Sequence, residues 1–189
     1  MNYLFLFVIF SFNFGGGIIV KKDQPTDFSQ PLKIIEGDVY YSPYLSFMFS
    51  IKKLKIHTDF YYINKIGDIA FSESDTFIIV KPYHITEVFP QFLTSFEKTI
   101  SSNLKVYLNM GAGFVVWKWK ELSYASFYSV KSIKRGASPF VSVGLSLKYR
   151  VFNKIDIYIP FTINKILSNG YPLKRLIFYS TSIGLRLSL

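Results

Sequence analysis

Cysteine is absent from the 189 residues. That excludes a disulfide framework, a thiolate metal site and a cysteine nucleophile. Histidine occurs twice, as His57 and His84, and two histidines without cysteine cannot close a zinc site of the structural kind. Carboxylates are scarce: 12 Asp and Glu against 22 Lys and Arg leave a net charge of +10. The cations are not gathered as a nucleic-acid surface would require. They fall in apparent turns and loops, at Lys52-Lys53, Lys134-Arg135, Lys154 and Lys174-Arg175, so no nucleic-acid partner is expected. The glycine run Gly15-Gly16-Gly17 lacks the lysine and hydroxyl pair of a phosphate loop. No cofactor is implied.

What remains is rich in strand formers. Half the residues are hydrophobic and 19% are aromatic, with 20 Phe and 14 Tyr, a composition that favours β-structure. From Pro139 to Asn164 the alternation is nearly unbroken. Val141, Val143, Leu145, Leu147, Tyr149 and Val151 share one face. After Asn153-Lys154 the pattern resumes with Ile155, Ile157, Ile159, Phe161 and Ile163 against Asp156, Tyr158, Pro160, Thr162 and Asn164. Period 2 over this length predicts two long strands joined by a tight turn.

The same pattern runs through Phe12–Lys22, Val39–Ile51, Leu54–Asn64, Val88–Ile100, Leu104–Lys118 and Leu176–Leu189, which makes eight strands in all. Short connections (Lys52-Lys53, Ser101 to Asn103, Asn153-Lys154) alternate with long ones (Asp23 to Asp38, Ile66 to Glu87, Trp119 to Ser138, Lys165 to Arg175). Short turns on one rim and long loops on the other predict an all-β fold: an eight-stranded antiparallel up-and-down transmembrane β-barrel with the apolar face toward lipid. An eight-stranded barrel is only just filled by its side chains. The opposite face, dominated by Ser, Gly, Asn and Thr, suits that interior. A soluble, lipocalin-like ligand-binding barrel with the apolar face inside is the competing fold. Tyr41, Tyr62, Trp119, Tyr149 and Tyr179 are candidates for an interfacial aromatic girdle; Trp117 has the wrong parity for it.

Nine charged or titratable residues share the inward parity: Lys55, His57, Asp59, Glu97, Lys105, Lys148, Arg150, Asp156 and Arg186. Charges in a closed lumen are costly unless paired. The expectation is a plug of ion pairs near the short-turn rim, among Lys55, Asp59, Glu97, Lys105, Lys148, Arg150, Asp156 and Arg186, with His57 satisfied beside them. The apolar N-terminus reads as a secretory signal over residues 1–11, cut after Ser11, ahead of a barrel from 12 to 189.

The opening Phe12-Asn13-Phe14-Gly15-Gly16-Gly17-Ile18, the strand Val106-Tyr107-Leu108-Asn109-Met110-Gly111-Ala112-Gly113 and the final Thr181-Ser182-Ile183-Gly184-Leu185-Arg186-Leu187-Ser188-Leu189 resemble the small outer-membrane β-barrel family of the OmpX and OmpA transmembrane-domain kind. That resemblance implies an outer-membrane monomer in contact with the lipid bilayer. It also implies a last strand, marked by Gly184, Leu185, Leu187 and Leu189, that is read by the barrel-assembly machinery. The function expected is structural or surface-interacting, without catalysis. Loop cations such as Lys21, Lys22, Lys131, Lys134, Arg135, Lys174 and Arg175 would attract an anionic surface polysaccharide or lipid headgroup, and the long loops a surface protein. Some barrels of this family modify lipid A as acyltransferases or deacylases. The alternative activity therefore centres on His84 as general base, with Ser72, Ser74, Asp75 and Glu87 near it in sequence.

Overall fold

The computed structural model describes residues 8–21, 33–34, 38–51, 54–74, 77–123, 129–167 and 177–188. Outside them lie residues 1–7 of the expected signal, Lys22, most of the first and fourth long loops, Asp75, Lys174, Arg175 and Leu189. The strands are β1 (Val8–Lys21), the two-residue β2 (Lys33–Ile34), β3 (Asp38–Ile51), β4 (Leu54–Ser74), β5 (Phe77–Thr99), β6 (Leu104–Ser123), β7 (Ser129–Phe152), β8 (Ile155–Ile166) and β9 (Ile177–Ser188). The eight long ones pair antiparallel in the order β4-β3-β1-β9-β8-β7-β6-β5, and β5 pairs back on β4 to close the barrel. Closure gives every long strand two neighbours, the condition for a sheet to stand in lipid. β1 starts opposite the end of β3, with Val8 facing Ile51. Val8–Ser11 are therefore part of the wall, and a cut after Ser11 would remove four paired residues of β1.

The orientation follows the alternation. Val143, Leu145 and Leu185 are each about half exposed on the outer wall, while Ser146, Asn109 and Asn13 are fully buried. This rules out the soluble barrel with its apolar face inside. Along β6 the outer face reads Leu104, Val106, Leu108, Met110, Ala112, Phe114 and Val116 before Lys118 interrupts it. At the usual rise and tilt that apolar run stands about 30 Å tall, the thickness of a bilayer's hydrocarbon. Tyr41, Tyr62, Tyr149 and Tyr179 are on the outer face, where a girdle needs them. Trp117 and Trp119 are buried inside, which corrects the expectation for Trp119.

Two expected long loops are instead strand. β4 and β5 stay paired from Lys55 opposite Ser95 up to Ser74 opposite Phe77. β6 and β7 stay paired to Ser123 opposite Ser129, with a bulge between Glu121 and Leu122. The stretches 66–87 and 119–138 are therefore hairpins that rise past the apolar wall. Their alternation is weak because beyond the bilayer neither face of a ribbon is held to a single solvent.

Among the described residues the wall has a seam between β3 and β4. β3 pairs β4 only from Ile51 opposite Leu54 up to Tyr44 opposite Tyr61. Above that point β3 keeps β1 and β4 keeps β5, but the two do not pair with each other. Pro43 has no N–H to give. Ser42 substitutes for the ladder: its Oγ accepts the Tyr62 N–H at 2.7 Å and donates to the Pro43 carbonyl at 2.9 Å. Higher up, β2 takes over the β4 edge at Phe71 and Ser72.

Candidate functional site

The lumen is built in tiers. The lowest joins β4, β5 and β6. There the Glu97 carboxylate lies between Lys55 and Lys105, whose Nζ is 2.6 Å from Glu97 Oε1. Lys55 also donates to the Tyr107 hydroxyl at 3.3 Å. A second knot joins β7 and β8. Lys148 Nζ is 2.6 Å from Asp156 Oδ2, and Arg150 Nε is 3.5 Å from Asp156 Oδ1. The register explains the arrangement. Lys105 and Lys148 face each other across β6 and β7, a repulsive placement, and each finds its carboxylate on the far side.

Asp59 and Arg186, expected in the same plug, are not in these ion pairs. Arg186 is fully buried; its Nε donates to Asn13 Oδ1 at 2.8 Å and its guanidinium lies 3.9 Å from the centre of the Tyr158 ring. The other face of that tier is His57, stacked on Tyr158 at a 16° interplanar angle. Asp59 Oδ2 accepts from Gln91 Nε2 at 3.4 Å. Neutral hydrogen bonds continue upward. Tyr158 donates to Ser146 at 2.9 Å, and Asn109 bridges Ser95 and Ser146 at 2.6 and 2.5 Å. Asn164 meets Ser142, Thr162 and Ser180 at 2.5, 3.1 and 3.2 Å. Gly111 and Gly144 face this crowded space, where an added Cβ would collide with the carbonyls of Phe92 and Phe161.

Above these polar tiers the interior is aromatic. Phe178 packs between Phe89 and Phe140, with ring centres 5.2 Å from each. Tyr40, Trp117, Val115 and Ile166 belong to the same buried cluster, and Trp119 Nε1 donates to the buried Glu87 at 3.2 Å. An interior of small polar residues describes only the lower part. The signal was present in the parity, since Phe140 and Phe178 fall on the polar face of their strands.

His84 lies on the outer wall, where its Nε2 is 2.7 Å from Asn64 Oδ1. Thr86 is 3.4 Å from the same oxygen. Glu87, one candidate to orient His84, is buried on the opposite face of β5 and bonded to Trp119. Among the described side chains no carboxylate stands behind the imidazole. Ser72 and Ser74 lie in the upper part of β4, facing Ile78 and Phe77 of β5. At the last strand, Gly184 is buried against the Phe14 backbone, and Leu185 and Leu187 face outward.

Sequence reasoning missed the polar surface around His84. The register sets Asn64 opposite Thr86, Thr86 opposite Lys118 and Lys118 opposite Arg135. These four form one row across β4, β5, β6 and β7. The signal that could have found it is parity: Lys118 continues the face that holds Phe114 and Val116.

No protein-family model matches the chain, and no curated protein matches it. Solved structures do. Neisserial surface protein A superposes with a TM-score of 0.58 at 15% identity, covering 95% of this chain and 97% of that one. Ail, the attachment invasion locus protein of Yersinia pestis, gives 0.59 at 12%, covering 96% and 98%. A major outer membrane protein from Thermus thermophilus gives 0.65 at 6%, covering 96% and 99%. Identities this low bear on the fold alone. The closed eight-stranded wall, its apolar outer band and these likenesses agree: the chain has the fold of the small outer-membrane β-barrels.

Proposed function

We propose that this protein serves the outer membrane as a structural or surface-interacting barrel, with a lumen closed by its own side chains and without a catalytic role. The observation that supports this reading is the succession of buried tiers. Ion pairs at Glu97 and Asp156 are followed by Arg186, Tyr158 and His57, then by Asn109 and Asn164, then by Phe89, Phe140 and Phe178. Narrow eight-stranded barrels are filled in this way. The paired cations and carboxylates fix strand register, because a slip by one residue would send every one of them into lipid. The extended β4–β5 and β6–β7 hairpins are the parts that reach other molecules. A hydrolase or acyltransferase centred on His84 would need an acid to orient the ring, and the side chain 2.7 Å from it is the amide of Asn64.

A planar-bilayer recording tests the plug. The reconstituted barrel is expected to show no steady conductance, and Glu97→Ala with Asp156→Ala is expected to introduce intermittent current. Steady ion flow through the wild-type protein would remove the proposal.

A further inference from the structure

The outer wall changes character abruptly over four neighbouring strands. One row across them is apolar: Tyr62, Val88, Val116 and Ala137. The next row up is Asn64, Thr86, Lys118 and Arg135, and the row above that is Ile66, His84, Lys120 and Ile133. None of the three rows holds a carboxylate. Lys118 and Arg135 are both exposed and stand directly opposite each other across β6 and β7. Like charges so placed have Cβ atoms about 5 Å apart and repel. An anion between them turns that repulsion into two charge-assisted contacts. Thr86, two Cα positions along the same row from Arg135, adds a hydroxyl, and Lys120 adds a third cation on the next row.

We propose that this row binds the phosphate of an anionic outer-leaflet lipid, with Lys118 and Arg135 as its principal partners. The position selects the partner. A free polyanion would have no use for the apolar row directly beneath. A phosphate joined to hydrocarbon fits both: its charge meets the row while its chains lie on Val88, Val116 and the outward Phe92, Phe114 and Val141 below. Cations just outside the hydrocarbon gain about fivefold each from an anionic lipid surface. His84, whose Nε2–H is donated to Asn64 Oδ1, borders the site.

The test uses the folded, detergent-solubilised barrel and native mass spectrometry. Dimyristoyl phosphatidic acid and dimyristoyl phosphatidylcholine are compared at equal concentration. Wild type is expected to retain the anionic lipid roughly twenty-five-fold more strongly. Lys118→Gln with Arg135→Gln is expected to bring it down to the phosphatidylcholine level, while Lys118→Arg keeps it. Lys154→Gln, in the turn on the opposite rim, is expected to change nothing. Heat-modifiable migration on a gel certifies that each variant is folded, and both mutated side chains are exposed, so their loss opens no cavity. The proposal falls if wild type holds the two lipids equally. It falls also if Lys154→Gln with Lys98→Gln, a double variant of the same charge change near the opposite rim, costs as much, which would mean attraction by net charge alone. It falls too if inorganic phosphate protects the barrel against unfolding as well as phosphatidic acid does, which would mean an anion site without a lipid.

Discussion

His84 stands one row above Thr86, past the last apolar row of the wall, and is only partly covered. Desolvation against the wall, and after it the charges of Lys120 and Lys118, push the imidazole below its ordinary range. In the unfolded chain the ring titrates near its usual value of about 6.5. As pH falls through that value the unfolded state takes up a proton that the folded state refuses, so stability drops. The loss begins just below about pH 6.5 and levels off once the folded protein is protonated too; above about pH 7.5 the group contributes none of it. Lowering the pH from about 7.5 to about 5 should therefore reduce the urea midpoint of wild type more than that of His84→Gln. Equal slopes for the two proteins would contradict this. The residue was visible in the sequence, but its neighbours were not. Asn64 and Lys118 are 20 and 34 positions away from His84 in the chain, and only the register brings them to it.

β7 and β8 were legible because both faces of each are held to one environment along almost their whole spanning length. Lipid selects Val143, Leu145 and Phe161, and the crowded interior selects Ser142, Ser146 and Thr162. β5 was harder to read, since Phe89 and Leu93 point inward and Phe92 and Phe96 outward, so both faces look apolar. The seam between β3 and β4 is of another kind. Pro43 is plain in the sequence, yet what its missing N–H does depends on which strand lies beside it. Ser42→Ala leaves the Tyr62 N–H without its acceptor at the edge of the hydrocarbon. The cost of an orphaned buried donor is about 1–3 kcal/mol. A lower urea midpoint for Ser42→Ala, largely restored in Ser42→Thr, is the expected result; an unchanged midpoint would show that another group or water takes over the bond.

Taken as a whole, the molecule divides by height. The ion-pair and hydrogen-bond tiers lie below the row of Asn64, Thr86, Lys118 and Arg135; buried Ile85 and Trp119 stand one pair above it, and the β4–β5 hairpin continues beyond them to Ser74 and Phe77. Replacing residues 69–80 by a tight turn is expected to leave a barrel that folds and shows heat-modifiable migration, with its urea midpoint lowered only slightly. Failure of that variant to fold would mean that the ribbon, or the contact it makes with β2, guides closure. Closure itself carries a cost in time. The Arg186–Asn13 hydrogen bond joins residues 173 positions apart, and β1 has no second neighbour until β9 arrives. Until ribosomes have made the C-terminal strand and it has docked, the nascent sheet offers two bare edges to any passing strand, its own or a stranger's. High contact order makes that interval long, so a chaperone that shields those edges before insertion protects the protein at its most vulnerable moment.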